Sequence, residues 1–64
     1  MCLASVYSEL DGKKTLIMSK VAGVETGTEV IVLRDFLGRT MEIRGAISMI
    51  DLENNIVLCK LNEN

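Results

Sequence analysis

Short apolar runs alternate with polar positions along this chain, and single glycines punctuate them. From Cys2 to Ser8 the residues take turns: Cys2, Ala4 and Val6 fall on one face, Leu3, Ser5 and Tyr7 on the other. A period of two is that of a strand. Asp11-Gly12 then supplies a hairpin turn, because glycine accepts the positive φ that tight turns require. Thr15 to Ser19 returns, and Val21 to Thr26 either continues that strand or opens another. Leu16 to Val24 is also compatible with a helical turn. Gly27 closes the segment. Within Glu29 to Arg34, Val30-Ile31-Val32-Leu33 is too continuously apolar for a sheet with one wet face, which predicts a strand covered on both sides. Asp35-Phe36-Leu37-Gly38 is the next turn. Thr40 to Arg44 alternates Met41 and Ile43 against Glu42 and Arg44, and Gly45 marks a bend or bulge. Ala46 to Leu52 and Asn55 to Leu61 make a last hairpin around Glu53-Asn54-Asn55, where asparagine tolerates left-handed backbone.

Strands recurring every ~8–12 residues between turn signals indicate a small barrel or sandwich. The expectation is an all-β single domain over residues 1–64, an SH3-like barrel of six or seven short strands with a polar tail at residues 62–64. Sixteen β-branched residues against three alanines agree with strands. Hydrophobic residues make up 48% of only 64 positions, and a chain of this size has little interior to hold them. Association is the usual remedy, so a homodimer with a buried apolar seam is expected. The last strand is apolar on both faces, with Ile56 and Leu58 opposite Val57, Cys59 and Leu61. It and Val30 to Leu33 are either the dimer seam or central strands within one subunit. Phe36 and Leu37 at a turn tip either dock a partner or fold inward with Phe36 as a cap.

Composition narrows the function. The chain has no His, Trp or Pro, and two Cys, so imidazole catalysis and His-based zinc sites are excluded. No nucleophile has a base and an orienting group to activate it, which argues against an enzyme. Seven basic against nine acidic residues give a net charge of −2. With Tyr7 and Phe36 the only aromatics, neither the basic footprint nor the stacking platform of a nucleic-acid binder is present. The start lacks a basic n-region and a long apolar run, and no stretch approaches the ~20 apolar residues of a membrane helix. A cytoplasmic protein with reduced thiols is expected.

Cys2 is the candidate functional residue. Its thiolate and a main-chain nitrogen beside it close a small, unstrained chelate ring. That nitrogen is the α-amine if Met1 is removed; if Met1 stays, the Met1 amine and the Cys2 amide serve. Mixed nitrogen and thiolate donors in a plane suit Ni(II) or Cu(II). One subunit offers too few donors, but two about a two-fold axis complete a square plane. The structural alternative is a small thiol on the core face of the first strand. Cys59, between Val57-Leu58 and Lys60-Leu61, reads as core packing rather than a second ligand. Met1, Met18, Met41 and Met49 are scattered and read as core filler. The acidic residues form no catalytic pair by spacing and read as solvated turn carboxylates.

The opening Met1-Cys2-Leu3-Ala4-Ser5-Val6-Tyr7, the following Asp11-Gly12-Lys13, the Asp35-Phe36-Leu37-Gly38 turn and Ser48-Met49-Ile50-Asp51-Leu52 together resemble the CooT family of small nickel-binding proteins. That resemblance implies a β-rich homodimer binding about one Ni(II) per dimer through Cys2, in support of metallocentre assembly or nickel storage and delivery, with carbon monoxide dehydrogenase or another nickel enzyme as the client. The turn reads Phe-Leu where the family pattern is Leu-Phe. Met-Cys-Leu-Ala also resembles the start of the HypC-type hydrogenase assembly chaperones, which implies Cys2 binding a metalloenzyme client. Those proteins have an early Pro, which this chain lacks. A metal-independent interaction module is the third possibility.

Overall fold

In a computed structural model that describes residues 2–62, five strands follow one another: β1 (Ala4–Leu10), β2 (Lys13–Gly27), β3 (Val30–Asp35), β4 (Thr40–Asp51) and β5 (Ile56–Leu61). Residues 63–64 of the expected polar tail lie outside the described residues. Neighbours in sequence pair antiparallel, and the ring closes where β1 pairs with β5 in parallel. The class is all-β, as expected, with five strands instead of six or seven.

The difference lies in two long strands that each serve two neighbours. Residues Lys13 to Val21 of β2 pair with β1, and Val21 to Gly27 pair with β3. Residues Thr40 to Arg44 of β4 pair with β3, and Gly45 to Asp51 pair with β5. Val21 to Thr26 thus continues the preceding strand, one of the two expected alternatives, and the two halves of β4 that read as separate strands are one. Lys20 takes φ 54° at the corner of β2, and the register slips between Val21 and Gly23. A bulge of this kind turns a strand without ending it. Leu16 to Val24 is therefore strand, not a helical turn. In β4 the irregularity falls between Ile47 and Met49 rather than at Gly45. Gly45 is buried and serves close approach instead, since a Cβ there would run into the Lys60 carbonyl oxygen and lie 3.0 Å from Leu61 Cα.

Val6, Val21, Ile31, Leu33, Val57 and Cys59 form the buried core. Ile31, Leu33, Val57 and Cys59 thus pack within the chain, so the inward faces of β3 and β5 are core, while Val30 and Val32 on the other face of β3 are half-buried rather than covered on both sides. Leu58, on the other face of β5, is also buried, lying across from Tyr7 on β1 and Met49 on β4. Phe36 does not cap the interior: it is 48% exposed and Leu37 64% exposed. Among the described residues no helix is long and apolar enough to cross a membrane.

Candidate metal centre

Cys2 stands just ahead of β1 and is exposed. The parallel pairing of β1 with β5 sets its surroundings, because Ser5 pairs with Ile56 and Ser5 N–H donates to the Asn55 carbonyl at 2.9 Å. The start of β1 therefore lies beside the β4–β5 hairpin, from the far end of the sequence. Cys2 lines an open hollow of about 250 Å³ together with Ala4, Val21, Ile50, Leu52 and Val57. Ile50 is 56% exposed and Leu52 81% exposed. The thiol thus sits at a mostly apolar mouth open to solvent.

Asp51 and Asn55 also line this hollow. The Asp51 carboxylate is already engaged: it accepts Glu53 N–H at 3.0 Å, Asn54 N–H at 3.2 Å and the Asn54 side-chain amide at 2.9 Å. The Asn54 side chain and then its main-chain N–H hold the carboxyl below its ordinary value, outweighing a smaller opposing contribution from burial, with Glu53 N–H adding to the effect. Its work is to shape the hairpin, in which Asn55 takes φ 56°. Spacing marks Asp51 only as a solvated turn carboxylate. The signal for its capping role is the Asp-x-x-Asn spacing, an Asx-type turn.

Asp35, at the end of β3, is not a solvated turn carboxylate: it is 3% exposed. It accepts Leu37 N–H at 3.0 Å, Arg39 N–H at 2.9 Å and Arg39 Nε–H at 2.7 Å. Burial alone would raise its pKa. The Arg39 side chain, the two main-chain donors and the Arg39 charge outweigh burial, and the pKa falls below its ordinary value. Phe36 N–H donates to the Lys20 carbonyl at 3.0 Å, and Lys20 Nζ stands 5.4 Å from the Phe36 ring centroid. The turn is thereby fastened to the corner of β2, whose Val21 lines the Cys2 hollow.

Cys59 is fully buried in the core, and burial pushes its thiol up from the ordinary value. The structure does not bring it to Cys2 as a second ligand. Met18 packs partly buried against the core, whereas Met41 and Met49 are exposed rather than core filler. The Met1 amine, an expected donor, lies outside the described residues. Among the described residues no three His, Cys, Asp or Glu side chains gather as a metal site. Of the expected donors, the described residues hold the Cys2 sulfur and the main-chain nitrogen beside it.

The family model described as "CO dehydrogenase accessory protein CooT" matches residues 1–60 of this chain. No curated protein matches it. A crystal structure of a protein assigned as CooT from Carboxydothermus hydrogenoformans superposes with a TM-score of 0.88 at 21% identity, covering 97% of this chain and 100% of that one. At that identity the likeness speaks to the fold alone.

Proposed function

The chain belongs to the CooT family of CO dehydrogenase accessory proteins, and from that premise we propose that it is a nickel-binding homodimer serving metallocentre assembly. Each protomer contributes the Cys2 thiolate and a main-chain nitrogen beside it to one Ni(II), the cargo of the dimer. The observation that carries this reading is the placement of Cys2: an exposed thiol at a mostly apolar mouth, where the one neighbouring carboxylate among the described residues, Asp51, is already engaged by its own hairpin. A second copy meeting this mouth would cover Ile50 and Leu52 and bring up the missing half of the donor set. Two sulfurs and two nitrogens form the planar array that suits Ni(II). Symmetry about a two-fold axis supplies it from one patch used twice.

Coordination needs the thiol deprotonated, so uptake releases protons and weakens as pH falls. Without His in the chain, no imidazole shares that dependence. The test is an optical titration of the reduced protein with Ni(II), wild type beside Cys2→Ser. A thiolate-to-nickel charge-transfer band that saturates at one ion per two chains, and is absent from a folded Cys2→Ser dimer, supports the proposal. Saturation at one ion per chain, or an unchanged band in Cys2→Ser, contradicts it. Capture of a metalloenzyme precursor that depends on Cys2 yet ignores nickel would favour the client-chaperone reading instead.

A further inference from the structure

The parallel pairing that closes the ring stops before either strand does. Its last pair is Ser8 with Cys59, while β1 runs on to Leu10 and β5 to Leu61. Beyond that pair each strand stays attached to its other neighbour: Glu9 pairs with Lys14 and Leu10 with Lys13 in β2, and Lys60 pairs with Ala46 and Leu61 with Gly45 in β4. The β1–β2 hairpin and the end of β5 therefore part like the arms of a fork. Between them lies a groove of about 570 Å³, lined by Glu9, Leu10, Lys13, Thr15, Lys60 and Leu61 among others.

Two facing strand edges with backbone groups beyond their shared ladder are a template for a further extended segment. The side chains say what kind. Leu10 is 61% exposed and Leu61 45% exposed, so each arm offers an apolar side chain to alternate residues of a guest. Lys13 and Lys60 place a positive charge on each arm, while Glu9, the only acid in the lining among the described residues, stands directly across the strand pair from Lys14. We propose that this fork docks an extended peptide segment with alternating apolar and acidic residues, belonging to a client protein.

The proposal rests on the accessory-protein reading only in assigning the peptide to a client. The groove itself lies away from the metal. Cys2 precedes β1 and the fork follows it, and β1 and β5 run in the same direction, so the two sites occupy opposite ends of these strands. Six residue steps from Ala4 to Leu10 correspond to ~20 Å.

The probe is a fluorescein-labelled eight-residue peptide alternating valine and glutamate, followed by anisotropy, with a lysine-for-glutamate peptide as control. Binding of the acidic peptide that weakens as salt rises, falls at least tenfold in a Lys13→Glu, Lys60→Glu double variant and is unchanged in Cys2→Ser supports the fork. Equal binding of both peptides, no binding of either, competition by millimolar inorganic phosphate as effective as unlabelled peptide, or undiminished binding by the double variant overturns it. The double variant is first checked for wild-type circular dichroism and nickel stoichiometry. If it fails to fold, Lys60→Gln, at an exposed position, must still lower the affinity several-fold. Nickel binding that survives in the charge variants while peptide binding is absent from wild type would sink this proposal and leave the metal reading intact.

Discussion

Cys2 and Cys59 place the same thiol in opposite surroundings, one exposed and one wholly within the core with its pKa raised by burial. Alkylation needs an accessible thiolate. Iodoacetamide should therefore add one group to the native, metal-free protein, at Cys2, and two after denaturation, as intact and peptide mass spectrometry will show. Native labelling of Cys59 would contradict the closed core. Asp35 makes the second prediction at this scale. Burial acts to raise its carboxyl, but hydrogen bonds from Arg39 and Leu37 outweigh that and hold it below the ordinary value of 3.8. A carboxyl depressed in the folded state stabilises the fold at pH above the unfolded value and loses that contribution as pH falls through the folded one. Asp51 is shifted the same way. Stability should be level at neutral pH and decline below about pH 4. Asp35→Asn keeps an acceptor but no charge, so it should lower the melting temperature at pH 7 and flatten that acid decline. An acid limb as steep as wild type would show that Asp35 does not carry the effect.

Bends in β2 and β4 account for what could and could not be read from the sequence. Strand content was legible because period-two alternation is local, and the Asp11-Gly12 and Asn54-Asn55 turns stand where expected, with Asp11, Gly12 and Asn55 all at positive φ. Continuity through the corners was not legible. A bulge shifts the alternation by one residue, which in a sequence looks the same as a break. Cys2 stood out by its position at the chain start, but its neighbours Ile50, Leu52 and Val57 come from the far end of the chain and share no local pattern with it. Asp35 looked like an ordinary turn acid because burial depends on the turn folding back over the Lys20 corner. Two glycines in these long strands test the packing directly. At Gly45 an added methyl would meet the Lys60 carbonyl oxygen and Leu61 Cα, backbone atoms fixed by the β4–β5 pairing. Gly45→Ala should therefore cost about 1–3 kcal/mol, as overpacking does. At Gly23 the atoms met belong to the Arg34 guanidinium, the end of a flexible, exposed side chain. Gly23→Ala should stay within about 0.5 kcal/mol of wild type. Urea melts of both variants check the ranking, and equal losses would refute it.

At the scale of the molecule, one ring of five strands separates two differently equipped ends. The Cys2 mouth is largely apolar, with Ile50 and Leu52 exposed around the thiol; the fork carries Lys13 and Lys60 beside Leu10 and Leu61. A dimer formed through the mouth would leave two forks facing outward, so metal and client segment need not compete for the same surface. The central claim is that neither protomer alone completes the nickel site. Native mass spectrometry of reduced protein, titrated with Ni(II) in a volatile buffer at neutral pH, reads this most directly. The account predicts a dominant species of two chains and one nickel ion, which Cys2→Ser fails to form while remaining dimeric. Monomers each carrying an ion, or a dimer that retains its nickel after Cys2→Ser, would contradict it.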